Sequence, residues 1–413
     1  MATYFAQVAL GEGLLRVGQL RFTQAGARQH STFAYDADWT ESPRGFAIQP
    51  DMPVDGGPFH HAGQPGAMRE ALAGAFSDAA PDSWGRRLLE RTYGAGLSEF
   101  QYLTFADDAC RQGALRFLDE NGEVIRGGAL DAVPRLVDLE EITALARAYE
   151  QGGDLAPEAM QRLAGAGGSG GARPKANVQD GETLWLAKFT SITDQAPVEQ
   201  VEVATLRLAR SCGIRTPEVR LELAETPFPV ALVQRFDRRG QARIPYISAR
   251  TALGKTGGAL GSYTEIVDFI RASGYDAPGD FRELYRRLVF TILVSNKDDH
   301  LQNHGFLYVG AQRWALSPVF DINPAPDRNP HLETAIMEGG PHDRSIALAL
   351  EACEFFEIPE AEARQTIATT ARTIVREWRE EFRRVGVTGD RARQYEAAFE
   401  NDQSELAQTY DQI

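Results

Sequence analysis

The sequence predicts an α+β protein with a β-rich beginning and a mostly helical C-terminal part. Three observations carry this expectation. Short strand-like runs crowd the first sixty residues. A strand, turn, strand, helix, strand, strand order follows a glycine-dense segment in the middle of the chain. Beyond Arg243 the apolar periodicity becomes helical.

Taken in order, Tyr4–Leu10, Leu14–Phe22 and Ser31–Tyr35 read as strands, with Gly11-Glu12-Gly13 as a turn. Pro43, Pro50, Pro53 and Pro58 mark loops, and Ala67–Ala75 reads as helical. Asp82 or Ser83 is the expected N-cap of a helix through Arg86–Tyr93. Ala114–Leu118 and Val124–Ile125 flank Asn121-Gly122, a hairpin signal. Leu139–Tyr149 and Pro157–Leu163 are expected helices, and Gly165–Gly171 an expected loop. Ala176–Val178 and Leu184–Phe189 read as strands joined at Asp180-Gly181. Val198–Cys212 is amphipathic and stops at Gly213, before the strands Val219–Leu223 and Val230–Phe236. Ser262-Tyr263-Thr264-Glu265 is a capping box ahead of Ile266–Ala272. Asp280–Val294 is apolar on most sides near its end and is expected to be a buried helix. Phe306–Val309 and Arg313–Leu316 form an expected hairpin around Gly310, and Pro359–Val385 one or two amphipathic helices.

Bulk properties narrow the function classes. The 413 residues are 43% hydrophobic and 24% charged, ordinary for a soluble globular protein with room for two or three domains. The formal net charge is -15, from 43 basic and 58 acidic residues, which argues against a chain that coats nucleic acid by itself. Cys110, Cys212 and Cys353 lack metal-ligand or CxxC spacing and read as reduced thiols of a cytoplasmic protein. No apolar stretch has membrane-spanning length, and Met1–Leu10 lacks the basic start of a signal peptide.

The most informative stretch is Ser295–Phe306, which concentrates carboxylates, carboxamides and imidazoles after apolar Leu288–Val294. Each polar group there must be solvated or bonded. Asp298 and Asn303 are separated by four residues, the carboxylate-to-amide spacing of a kinase catalytic loop. Asp321 follows an apolar segment a hairpin's length after Asn303, the separation a metal-binding kinase Asp needs. A lone Asp there is also a common turn former. His300 and His304 are four apart, and zinc is the rival reading, but the Glu of H-E-x-x-H is missing and Gly305 opposes a continuing helix. Gly165–Gly171 reads either as a linker or as a loop whose N–H groups approach phosphate oxygens, with Arg173 and Lys175 adding charge. Lys188 stands in a strand, where a lysine is often only a solvated side chain.

These motifs in this order resemble the HipA family of serine/threonine kinase toxins. The resemblance rests on Gly170-Gly171-Ala172-Arg173-Pro174-Lys175, Leu186-Ala187-Lys188-Phe189, Gln234-Arg235-Phe236-Asp237-Arg238, Asn296–Asn303 and Phe320-Asp321. Phe33–Asp36 and Ala80–Arg87 extend it to the N-terminal region. It implies a bilobal protein-kinase-like fold: an N-terminal subdomain over 1–135, a nucleotide-binding part over 136–240 and a helical lobe over 241–413. It implies transfer of the ATP γ-phosphoryl group to a protein hydroxyl, with Asp298 catalytic and Asn303 and Asp321 holding Mg²⁺. Lys188, Gln234, Phe236, His300, Gly170, Gly171 and Lys175 would bind ATP, with Glu202 or Glu199 supporting Lys188. Asp299 is expected to be a solvated neighbour. Autophosphorylation of a loop serine is implied as well; this chain has Ser169, about one position later than the family serine, where Gly168 stands. The implied partners are a HipB-like helix-turn-helix antitoxin that makes most of the DNA contact, and a protein substrate, family substrates including aminoacyl-tRNA synthetases. A small-molecule phosphotransferase and a non-catalytic corepressor are the alternatives.

Overall fold

The structure is a computed structural model that describes residues 1–127, 133–167, 171–326 and 331–410. The chain forms two compact units, each assembled from separated segments. The first comprises Met1–Ile192, Gln234–Gly257 and Leu307–Gln312; the second comprises Thr193–Val233, Gly258–Phe306 and Arg313–Ile413.

The first unit opens with an antiparallel five-stranded sheet, in the order β4-β3-β2-β1-β5. Its strands are β1 (Ala2–Leu10), β2 (Leu15–Ala25), β3 (Arg28–Tyr35), β4 (Phe59–Gly63) and β5 (Leu115–Leu118). The alternation read in the sequence sets one face inward: Ala6, Val8, Val17, Leu20, Phe22 and Phe33 are fully buried. Phe33 packs edge-on against Phe76, which meets Phe117 of β5 in the same way. β2 passes so close to β3 that a Cβ on Gly18 would lie 2.2 Å from the Ala34 carbonyl oxygen, so only glycine fits there. The expected hairpin after β5 is reduced to a single bridge, Leu118 with Val124, around a left-handed Gly122.

Ala67–Ala75 is not one helix but a 3₁₀ turn, Met68–Ala71, and a helix, Gly74–Ala79. Ser83–Tyr93 is helical, with Asp82 as N-cap: its side chain accepts from the Gly85 N–H at 2.8 Å. The helix Pro157–Ala166 starts with proline in its first turn and runs into the expected glycine loop. Burial explains the extension. Leu163, Ala164 and Ala166 are buried, and Asn177 donates to the Ala166 carbonyl at 3.2 Å. After the segment 171–174 come β6 (Lys175–Asp180) and β7 (Thr183–Phe189), antiparallel with Lys175 opposite Lys188 and Gly181 left-handed in the turn.

In the second unit, helix Val198–Ser211 ends at a left-handed Gly213. β8 (Val219–Glu222) and β9 (Val230–Gln234) pair antiparallel, so β9 ends two residues before the expected Phe236. Helix Tyr263–Ser273 is capped by the Ser262 hydroxyl, which accepts from Glu265 N–H. The Glu265 carboxylate accepts from the Ser262 hydroxyl rather than from its N–H, so the expected box is only half formed. Helix Ala277–Leu293 is buried as expected, and its interior charges are satisfied: Arg287 binds Glu283 at 2.6 Å and the Ser317 carbonyl at 2.7 Å. Glu360–Arg384 is a single 25-residue helix. Trp378 and Phe382 on its buried face meet Phe399.

Candidate functional site

The polar loop begins where helix Ala277–Leu293 runs out of apolar residues. Ser295 takes a left-handed backbone, φ +57°, which turns the chain away from the helix axis. Its hydroxyl donates to the Ala398 carbonyl at 3.0 Å and accepts from Arg344 at 2.7 Å. Asn296 is buried; its side-chain oxygen accepts from Asn323 N–H at 3.4 Å, and a bridge joins it to Pro324. That bridge draws the segment with Asp321 alongside the loop. Asp321 itself is left-handed, φ +59°, without being glycine. Such backbone costs on the order of 1–3 kcal/mol and persists where surrounding structure enforces it, commonly at functional sites.

The loop then alternates. Asp298 is exposed, and Asn303 donates its side-chain amide to the Asp298 carbonyl at 2.7 Å, which closes the loop and leaves the Asn303 Oδ1 as an oxygen donor. His300 Nε2 lies 3.6 Å from the Asp298 carboxylate. Partial burial raises the Asp298 pKa; His300 opposes this, while Asp321, Glu333 and Asp299 push further upward. Asp298 and Asp321 thus come close enough to repel. Asn303 and Asp321 offer hard oxygen donors in a region crowded with negative charge, the donor set that suits Mg²⁺. Among the described residues, no group of three or more His, Cys, Asp or Glu is placed to hold a metal ion.

Asp299 corrects the sequence reading. It is 4% exposed, not solvated. Tyr263 donates to its carboxylate at 2.5 Å, and Thr334 donates to its carbonyl at 2.5 Å. His304 Nε2 lies 3.0 Å from Asp299 Oδ1, too poorly aligned for a hydrogen bond, and its ring stands edge-on to Tyr263. His304 therefore belongs to the floor of the loop. Sequence reasoning missed Tyr263, Thr334 and Glu333. The alternation of buried Leu332, exposed Glu333 and buried Thr334 was the available signal.

The expected nucleotide-binding residues Gly171, Lys175, Lys188, Gln234 and Phe236 belong to the first unit. Lys188 is half-buried on β7. Lys175 is 1% exposed and pairs with Asp82 at 2.8 Å. Gly171 is left-handed, φ +112°, while Ser169 and Gly170 lie outside the described residues. Gln234 and Phe236 flank Arg235, whose N–H donates to the Leu184 carbonyl at 2.9 Å. Arg235 and Arg238 hold buried Asp237 at 2.5 and 2.8 Å, and Gly113 N–H donates to it at 2.6 Å. Burial opposes its charge, but the two guanidinium groups keep the Asp237 carboxyl far below the usual carboxylate range. Glu199 and Glu202 are both buried on helix Val198–Ser211 in the second unit.

Two family models match the chain: the HipA N-terminal domain over residues 6–117, and the HipA-like C-terminal domain over 167–378. The chain belongs to the HipA family. Its fold matches that of a solved HipA chain from Shewanella oneidensis, whose crystals hold HipA, HipB and operator DNA. The TM-score is 0.70 over 99% of both chains, at 17% identity. Two curated relatives are each 28% identical: "Putative kinase" of Haemophilus influenzae over 144 residues, and "Putative kinase Y4dM" of Sinorhizobium fredii over 153. The matches cover 30% and 33% of this chain, and only 42% and 36% of those proteins.

Proposed function

We propose that this HipA-family chain is a serine/threonine protein kinase that transfers the γ-phosphoryl group of ATP to a protein hydroxyl. One observation carries the reading. The loop Ser295–His304 closes through the Asn303–Asp298 hydrogen bond, with Asp321 close by, in a chain that the family models match over residues 6–117 and 167–378. Asp298 orients the acceptor hydroxyl and takes its proton late, since phosphoryl transfer demands positioning and charge stabilisation more than covalent help. Asn303 and Asp321 would hold Mg²⁺, which neutralises charge on the phosphates. Lys188 places a cation against the phosphates, and Glu202 or Glu199 would support it. The glycine-rich segment through Gly170 and Gly171 would cover the triphosphate, with buried Lys175 anchoring its end through Asp82. Gln234, Phe236 and His300 line the nucleotide.

The same reading makes the chain a toxin neutralised by a HipB-like antitoxin, which would supply most of the DNA contact. The HipB in the Shewanella complex supports that partner. Autophosphorylation at Ser169 completes it as an off switch: a phosphate adds roughly -1.5 to -2 charge to a segment that approaches ATP phosphates. The deciding experiment is transfer of labelled phosphate from ATP in a lysate, comparing the intact protein with Asp298→Asn. Transfer that persists in the variant overturns the assignment. Peptide mapping after incubation with Mg-ATP locates any phosphate on the chain itself.

A further inference from the structure

Within the first unit, helix Ser83–Tyr93 grips the end of the glycine-rich segment. Asp82 accepts from the Lys175 ammonium at 2.8 Å through one oxygen and from Gly85 N–H at 2.8 Å through the other. Trp84 Nε1 donates to the Lys175 carbonyl at 2.9 Å, and Arg87 donates to the Ala172 carbonyl at 2.7 Å. Asp82 and Lys175 are 6% and 1% exposed, so the ion pair is cut off from water. A buried pair of this kind is seldom retained for stability alone, because desolvation of both charges cancels much of their attraction.

The ladder explains why a carboxylate is needed there. Lys175 stands directly opposite Lys188. Residues opposite each other in an antiparallel pair point to the same face, and like charges in that relation repel. Two lysines thus share one face of the β6–β7 hairpin, and Asp82 binds the ammonium of Lys175. A Cβ on Gly171 would lie 3.4 Å from the Lys175 ammonium nitrogen, so the segment 171–174 curls over that group.

We propose that Asp82 is a positioning residue for nucleotide binding: by anchoring the Lys175 ammonium to the helix it fixes the segment 171–175 and leaves Lys188 as the cation directed at the phosphates. The proposal rests on the kinase reading above. It gives the Ala80–Arg87 motif a task in the nucleotide site, although the motif lies nearly a hundred residues upstream of Lys175.

The full-length chain serves for the test, as wild type, Asp82→Asn, Asp82→Glu and the double variant Asp82→Asn/Lys175→Met. Two quantities are read: hydrogen exchange of residues 171–176 without nucleotide, and the Kd for Mg-ATP. In Asp82→Asn the exchange is expected to accelerate and the Kd to rise about tenfold, the scale of one lost charge-assisted hydrogen bond. Asp82→Glu restores most of both. The double variant leaves no stranded ammonium but still lacks the anchor, so its exchange and its Kd both stay raised; it carries the comparison if the single variant does not fold. Wild-type exchange in Asp82→Asn, or wild-type Kd in either Asn-containing variant, overturns the proposal. A wild-type protein that binds no Mg-ATP fails differently: it overturns the kinase reading, and this role with it.

Discussion

Asp298 and Asp299 are neighbours whose side chains meet opposite surroundings. Asp298 faces solvent and three other carboxylates; Asp299 is sealed under Tyr263, Thr334 and His304. Asp298→Asn is predicted to cut transfer by about 10²–10⁴-fold while ATP binding is kept. The melting temperature should not fall, because like-charge repulsion is relieved. The pH dependence has a definite sign. The folded-state pKa of Asp298 is raised, so its contribution to stability is fullest below the ordinary carboxylate pKa and is lost as pH rises through the raised value. The melting advantage of Asp298→Asn over wild type should therefore grow between about pH 4 and pH 7. A variant that melts lower than wild type at neutral pH would refute this account of the loop. Asp299→Ala acts through the floor instead. It strands the Tyr263 hydroxyl, costs about 1–3 kcal/mol by chemical denaturation, and loosens the loop that carries Asp298.

At the scale of elements, the strand end Gln234–Arg238 shows two kinds of residue side by side. Gln234 and Phe236 are half-buried, while Arg235 and Asp237 lock that stretch to the loop Cys110–Gly113. Removing one partner of a buried ion cluster leaves the others uncompensated. Asp237→Ala is predicted to lose about 3–5 kcal/mol in denaturant unfolding. The folded pKa of Asp237 is depressed, so its stabilisation is present above the unfolded value and is lost as pH falls. The stability gap between wild type and Asp237→Ala should narrow below about pH 4, and a gap independent of pH would contradict the ionised cluster. Helix Glu360–Arg384 depends on packing rather than charge. Trp378 is 1% exposed and stacks on Phe399. Trp378→Ala should cost about 3–5 kcal/mol, measurable as an earlier unfolding transition.

For the whole molecule, metal and nucleic acid give the discriminating measurements. Elemental analysis of dialysed protein is expected to show no stoichiometric zinc, and chelation should abolish transfer until Mg²⁺ is returned. Zinc that survives dialysis, with activity lost on its removal, would instead favour the His300 and His304 reading. A net charge of -15 gives the chain little attraction for a polyanion, so no DNA binding is expected at roughly physiological salt without a helix-turn-helix partner. Among the described residues, no helix is long and apolar enough to cross a membrane.

Most of the elements were legible in the sequence because local chemistry places them. Alternation set β1 to β3, Asp82 capped its helix, Gly213 stopped another, and the apolar faces of Asp280–Val294 and Pro359–Val385 marked buried helices. The spacing of Asp298 to Asn303 was legible for the same reason, since a hydrogen bond closes that loop within five residues. Long-range pairing was not. No local pattern tells that Asp299 finds Tyr263, 36 residues away, or that Lys175 finds Asp82, 93 residues away. Nor does it show that Pro157–Ala166 continues through Gly165, which follows from the burial of Ala166 and the Asn177 contact to its carbonyl. By itself the sequence determined most of the strands and helices and the polar loop. Only the tertiary structure decided which of their charges are buried and paired, because burial and partnership depend on segments that sequence distance does not relate.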